Sequence, residues 1–509
     1  MVVLSGAGIP VKDEQTIVFV LITAFVAAVW LFYRVGLRHR PGSQLPAGPW
    51  YVPLIGSPQL FTTSSHIEVT KLGKIYGKAF TLHIGTDPLI VLNDYRMIKE
   101  ALVQHADVFS DRFTFKTMER TIKLQGSLIF ENGTAWKTRR HAVLSALHRR
   151  GVRSNAERNI NEETCFLCEE FSKRGGHPFD PSKIVMKSVS NIICSITYGK
   201  RFSYSDPVFM RTLSNLDMVL HCSFVGSILR TLPVVSHLPG FSGIRRALGE
   251  VFDFNRAMVR EHNASFNPDN LRDVIDTMLN ERLKERERGI NSEESIFTDE
   301  LIARSIYDLF AAGTDTNTNT LLWALLLMTQ YPDVQTKVQK EIDSVTGSRG
   351  PSMSDSASMP YTTATIMEVQ RYRVAAPFVP PRCTNRDVEL QGMRIPSSTQ
   401  IWVNLWAVLH DPTLWSHPER FDPSRFLADE GRRVIVPEAF IPFGAGRRVC
   451  LGKDLSIATN FLCFTKLMQT FSVSWPTDGG EADLSGNLGL TLAPKKYKIC
   501  VRYRENDVN

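Results

Sequence analysis

The decapeptide FGAGRRVCLG, Phe443 to Gly452, sets one cysteine among glycines, behind two arginines and an aromatic ring. A thiolate is a soft, strong ligand for iron. Only the deprotonated sulfur binds, so its surroundings must favour the anion. Gly444, Gly446 and Gly452 allow a tight turn that aims backbone N–H groups at the sulfur. The following LGKDLSIATNFLCFTKLMQTF reads as an apolar helix, which puts Cys450 just before a helix N-terminus and its partial positive charge. Arg447 and Arg448 add cations, and Phe443 can cover the sulfur. A buried cysteine in a glycine turn satisfies the same residues, and local chemistry does not choose between the two.

A second stretch breaks that tie. DLFAAGTDTNTNTLLWALLLM, Asp308 to Met328, is apolar at both ends and reads as a buried helix. Its middle carries Gly313, Thr314, Asp315, Thr316, Asn317, Thr318, Asn319 and Thr320. Glycine costs about 1 kcal/mol against alanine in a helix interior, and threonine is also a poor helix former. A buried carboxylate is costlier still unless bonded or protonated. Such a conflict between local preference and burial marks a place where function is expected. Glycine and back-bonding hydroxyls can open the helix ladder and admit water. Asp315 beside Thr316 in such a groove makes a proton relay.

Two weaker patterns accompany these. Glu368 and Arg371, three apart in YTTATIMEVQRYRV, share a helix face. Alone, such a pair is structural; Arg425 can complete a buried network with it, and Pro377, Pro380 and Pro381 form a stiff segment ending at Arg382. In GSLIFENGTAWKTRRHAVLSAL, Trp136 and Arg140 lie four apart, so an indole N–H and a guanidinium on one face suit a carboxylate ligand.

The elements that position these residues follow from the rest of the chain. It has 509 residues, 43% hydrophobic and 22% charged, which excludes a disordered bulk. A net charge of +7 is mild for this length and does not imply nucleic acid. Eight irregularly spaced cysteines form no disulfide framework and agree with a reducing cytosol. Cys165 and Cys168 sit in an amphipathic helical pattern, so a core position is expected for that pair rather than a metal site.

IVFVLITAFVAAVWLFY, Ile17 to Tyr33, covers about 25 Å as a helix, against a bilayer core of about 30 Å. Arg34 can snorkel and extend the span to residue 37. Basic Arg34, Arg38, His39 and Arg40 follow it, which orients the N-terminus to the lumen and the remainder to the cytosol. Bulky residues stand where a signal peptide would carry small ones for cleavage. The expected organisation is a luminal 1–16, a transmembrane anchor 17–37, a proline-rich hinge 38–58 and a catalytic domain 59–509. Residues 78–94 read as β, Arg96 to about Met328 as helical, NERLKERERG as a solvated helix end, and DVELQGMRIP and LTLAPKKYKICVRY as short strands. The fold class is mainly α with small sheets and one N-terminal transmembrane helix.

These elements in this order resemble the cytochrome P450 family, from Pro41 to about Tyr503. The cysteine loop matches the family's F-x-x-G-x-R-x-C-x-G, and AAGTDT matches its oxygen-activating helix. The resemblance implies haem b with Cys450 as axial ligand, with Phe443 and Gly446 in the same loop. It also implies propionate contacts from Trp136, Arg140, Arg382 and Arg448, a catalytic Asp315 and Thr316, and a structural triad of Glu368, Arg371 and Arg425. Asn317 departs from the Thr or Ser usual at its position. The animal microsomal, drug- and steroid-oxidising branch is most similar. That branch implies the endoplasmic reticulum membrane, electrons from an NADPH reductase, cytochrome b5 as an additional candidate donor, and a lipophilic substrate. Lys137, Arg149, Arg150 and Arg153 are candidates for the docking face. Phe113, Phe115, Leu309, Ala312, Val374 to Val379 and Leu488 are pocket candidates. Two rivals remain: a haem-thiolate isomerase or dehydratase needing no external electrons, and a non-catalytic haem carrier.

Overall fold

The computed structural model describes Thr23, Val26 and residues 45–52, 55–85, 87–113, 126–221 and 239–504, with backbone alone for 150–154, 221 and 239–241. The expected 1–16, the anchor 17–37 apart from Thr23 and Val26, and hinge residues 38–44, 53 and 54 lie outside the described residues, as does Phe115. Among the described residues, no helix is long and apolar enough to cross a membrane.

The helices are α1 (Ser65–Tyr76), α2 (Tyr95–Lys99), α3 (Gly133–His148), α4 (Arg150–Ser172), α5 (Ser182–Thr197), α6 (Pro207–His221) and α7 (Pro239–Ser265). They continue as α8 (Val274–Glu287), α9 (Asp299–Gln330), α10 (Pro332–Thr346), α11 (Pro360–Tyr372), α12 (Leu405–Leu409) and α13 (Lys453–Thr470). Helix α9 is the axis of the molecule. Thr298 caps it by accepting from the Leu301 N–H, and Asp299 and Glu300 sit in its positive first turn. Pro332, which lacks the N–H needed to continue the ladder, opens α10. The charge run Asn280 to Gly289 closes α8 as a largely exposed end, except that Glu285 is buried and accepts from Ser295 Oγ at 2.5 Å.

Strands are few and short. A hairpin of β1 (Ala79–Ile84) and β2 (Asp87–Leu92) falls where the sequence predicts it. It begins a five-stranded sheet that also contains β3 (Asp111–Arg112) and β4 (Arg382–Cys383). After β5 (Val388–Leu390) and β6 (Met393–Ile395), which pair only with each other, β7 (Gln400–Val403) completes the order β1-β2-β7-β4-β3. Strand β7 runs parallel to β2 and is buried throughout, as expected of a strand covered on both faces. The described hinge lies along β1: Thr81 Oγ1 donates to the Pro46 carbonyl at 2.6 Å. Within the mostly helical stretch from Arg96 onward lies β3, where Arg112 pairs across the sheet with Arg382, 270 residues later.

Smaller pairs are β8 (Leu427–Ala428) with β9 (Arg433–Val434), and β10 (Phe471–Ser474) with β13 (Cys500–Tyr503). Between the latter two, β11 (Asn487–Leu488) pairs with β12 (Leu492–Ala493). Cys168 is buried, whereas Cys165 lies on the exposed side of α4, so only half of that pair belongs to the core.

Candidate functional site

The cysteine loop turns through a short 3-10 turn, Gly446–Arg448, before α13. Gly444 and Gly446 have φ of 71° and 73°, a region disfavoured for side-chain-bearing residues. A Cβ at Gly446 would lie 1.8 Å from the Leu102 carbonyl oxygen, so the loop packs too closely for any other residue. Gly452 needs no such freedom: its φ is −89° and it caps α13. The half-buried Phe443 accepts the Cys450 N–H at 3.0 Å, closing the turn.

Desolvation by the surrounding atoms raises the Cys450 thiol above its ordinary pKa although the residue is exposed, while the Gly452 N–H and the Arg140 and Lys453 charges favour the anion as the loop's composition predicts. A bound cation is the group that would reverse the balance.

Four arginines converge near this loop. The stiff proline segment hands Arg382 to β4, with Phe378 bridging to Asn404 beside β7. Arg382 is 2% exposed, and burial holds its pKa down to about 9, with the Arg140 charge lowering it further. Arg448 is likewise pushed down to about 9 by burial, then by Arg382. Burial lowers Arg140 too, with Cys450 opposing the shift. The fourth is Arg112, which sequence reasoning missed; burial lowers it, followed by Arg382, Arg448 and Arg140. Its Nε donates to the Ile129 carbonyl at 2.9 Å and a second nitrogen reaches the Pro380 carbonyl. No local pattern marks Arg112, since its strand is two residues long and its partner is distant.

The donors of this cluster go mostly to carbonyls. Arg140 donates to Val449 at 2.6 Å, and Arg448 to Ser110 at 2.9 Å and Glu131 at 2.6 Å. Arg382 Nε and Arg448 Nη1 are buried without a hydrogen-bond partner among the described residues. Buried cations and unpartnered donors are costly, so this donor set fits a ligand bearing carboxylates.

Trp136 requires a correction. Its indole N–H donates to the Leu128 carbonyl at 3.1 Å rather than standing unpartnered. Its ring face instead carries guanidinium groups, Arg448 at 3.3 Å and Arg140 at 5.9 Å from the centroid. It acts as a cation–π platform.

On α9, the helix runs uninterrupted through Gly313–Thr320. Thr316 Oγ1 donates to the Ala312 carbonyl and Asn317 Nδ2 to the Gly313 carbonyl, both at 2.8 Å. The expected back-bonding is thus present, while the helix itself stays continuous through the stretch. Gly313 has a packing reason: a Cβ would lie 2.7 Å from Ile193 Cδ1 on α5. Adjacent helical residues diverge by about 100°. Asp315 accordingly faces Asn319 and Thr491, while Thr316 lies on the stripe of Ala312, which is exposed in an otherwise buried or half-buried turn. Asn317 ties α9 to α13, accepting from Ser456 Oγ at 2.7 Å and Asn460 Nδ2 at 2.9 Å. The buried Asp308 anchors the segment before α3, accepting from Ser127 Oγ at 2.6 Å.

The Glu368 carboxylate takes two bonds from Arg371, at 2.7 and 2.9 Å, and Arg425 Nε lies 3.1 Å away. Arg371 also donates to the carbonyls of Leu409, Pro418 and Arg420. Of the pocket candidates, Val374 and Leu488 are buried, Phe113 is half-buried and Ala312 is open. Among the docking candidates, Lys137 is exposed and Arg149 half-buried; the side chains of Arg150 and Arg153 lie outside the described residues.

A mainly helical fold around one long helix, with a cysteine held before a helix start and arginines gathered near it, defines a haem-thiolate enzyme. The family described as Cytochrome P450 matches residues 46–501, and the chain belongs to that family; it is a cytochrome P450 monooxygenase. It is 37% identical to mouse cytochrome P450 2U1 over 92% of this chain and 93% of that protein. It is also 37% identical to mouse cytochrome P450 2J5 (94% and 95% covered) and 36% identical to human cytochrome P450 2D6 (94% and 97%).

Proposed function

We propose that this monooxygenase inserts one atom of dioxygen into a lipophilic small molecule, drawing electrons from a membrane-bound NADPH reductase. The observation that carries this is the pairing of Cys450, before the α13 N-terminus, with the buried Arg112, Arg382 and Arg448 and the half-buried Arg140, of which Arg382 and Arg448 each keep a buried donor without an acceptor among the described residues. Cys450 would hold the iron of a bound haem and Arg112, Arg140, Arg382 and Arg448 its carboxylates, and that group would supply the oxygen-activating chemistry. The chain's residues do the rest. Trp136 carries the Arg448 guanidinium over its ring, 3.3 Å from the centroid. Gly446 lets the loop approach the Leu102 carbonyl. Thr316, tied to Ala312 on the open stripe, passes protons inward, and Asp315 one position earlier supplies them. The electron source is external, since no nucleotide- or flavin-binding stretch stands in the sequence.

The endoplasmic reticulum membrane is the proposed location, supported by the uncharged run Ile17 to Tyr33 with basic residues after it and by the resemblance of the motifs to the microsomal branch of the family. An apolar set around Ala312, Val374 and Leu488 supports a steroid, fatty acid or foreign compound as substrate.

The reduced protein treated with carbon monoxide should show the red-shifted Soret band of thiolate-ligated iron, and Cys450→Ser should lose it. A wild-type spectrum typical of nitrogen ligation would overturn the reading. Thr316→Ala should consume NADPH while forming several-fold less product per NADPH. Fully coupled turnover in that variant would remove Thr316 from the proton path, and turnover of a peroxide without NADPH would favour an isomerase or dehydratase.

A further inference from the structure

We infer that Thr491 is a positioning residue that holds the carboxylate of Asp315 and links it to the β11–β12 hairpin. This rests on the proposal above that Asp315 is the relay acid. Asp315 is 6% exposed in the middle of an apolar helix, where a carboxylate needs hydrogen bonds to persist. Thr491 Oγ1 donates to its Oδ2 at 2.5 Å. Asn319 Nδ2 donates to its Oδ1 at 3.1 Å and, with its other hydrogen, to Thr491 Oγ1 at 2.8 Å. The triangle is closed and its polarity is fixed. The single hydroxyl proton of Thr491 goes to the acid, because an ionised carboxylate only accepts and the Asn319 amide nitrogen only donates.

Thr491 does not belong to α9. It sits in the turn between β11 and β12, and that hairpin is fastened on several sides. Trp323 Nε1 of α9 donates to the Leu492 carbonyl at 2.9 Å, and the Leu492 N–H donates to Ala375 at 2.9 Å. The Leu488 N–H donates to Thr63 at 3.0 Å and the Leu490 N–H to Leu220 of α6 at 3.3 Å. The hairpin thus joins the segment after α11, helix α6 and the residues before α1 to the relay acid. Val374 and Leu488, both pocket candidates, flank these bonds. A ligand bearing on Leu488 shifts the same turn that orients Asp315. Substrate fit and proton delivery then share one hydroxyl.

The experiment uses full-length holoenzyme reconstituted with reductase. Its turnover probe is lauric acid or testosterone, whichever gives the larger spin-state change in the wild type. Thr491→Val, nearly isosteric but without a donor, should lower product per NADPH several-fold, and Thr491→Ser should restore it to within twofold of wild type. In an Asp315→Asn background Thr491→Val should add nothing. Independently of turnover, the infrared carboxyl band of the resting enzyme that disappears in Asp315→Asn should shift in Thr491→Val and stay put in Thr491→Ser. Wild-type coupling in Thr491→Val, with Asp315→Asn impaired, overturns the role of Thr491 and leaves the relay intact. Equal loss in the Val and Ser variants also overturns it, as a packing effect. An Asp315→Asn variant with full coupling removes Asp315 as relay acid, and this inference with it. If Thr491→Val yields no folded holoenzyme by its carbon monoxide spectrum, Thr491→Cys, a weak donor of similar shape, should show the same loss and the same band shift.

Discussion

Arg371 and Arg382 are both buried and stand close in sequence, yet they occupy opposite kinds of site. Arg371 is completed within the chain: Glu368 takes two of its bonds and the carbonyls of Leu409, Pro418 and Arg420 take the others. Arg382 sits among Arg112, Arg140 and Arg448, leaves Nε without a partner, and its pKa falls to about 9. The first site is framework, since a buried charge with its counter-charge and all donors bonded is stable in place. The second is a binding site, since like charges gathered in a low-dielectric interior are tolerable only where an anion completes them.

The sharpest way to break the contrast is Glu368→Gln. It removes the counter-charge from a fully buried Arg371 and should cost about 3–5 kcal/mol. Little folded, haem-bearing protein should accumulate, measured by the carbon monoxide spectrum and thermal melting. A variant as stable as wild type would show that the triad is not framework.

Arg382→Gln should behave differently. Removing an unpaired buried cation leaves the apoprotein at least as heat-stable as wild type. The loaded protein loses a charge-assisted bond of about 1.5–3 kcal/mol, so haem should leave roughly 10- to 150-fold faster in transfer to apomyoglobin. An apoprotein destabilised as much as by Glu368→Gln would erase the distinction. The smallest effect belongs to Trp136→Phe. It loses the bond to Leu128, about 1 kcal/mol, visible in the melting temperature. It keeps an aromatic face under Arg448, so haem retention should stay within twofold. A large loss of haem would return the indole N–H to the ligand.

Pairings between residues near in the chain are legible from residue order alone. Glu368 and Arg371 lie one helical turn apart, and the β1–β2 hairpin follows from its turn residues. Local pattern misleads where one group has two possible partners. Trp136 and Arg140 do share a face, but the indole donor finds the Leu128 carbonyl instead. Gly313 reads as a weak point in the helix ladder, and its reason is the closeness of Ile193.

By itself the sequence determined the chemistry: a cysteine in a glycine turn before a helix, an acid and an alcohol inside an apolar helix, and a fold that is mainly helical. Those features depend on residue type and on spacing within one element, which periodicity reports directly. Only the tertiary structure decided which way each group faces and what answers it. Arg112 meets Arg382 across 270 residues, Thr491 meets Asp315 across 176, and Asn317 meets Ser456 across 139. Hydrogen bonds and buried charges are settled by distances of a few ångströms, and chain separation says nothing about those until the elements have packed.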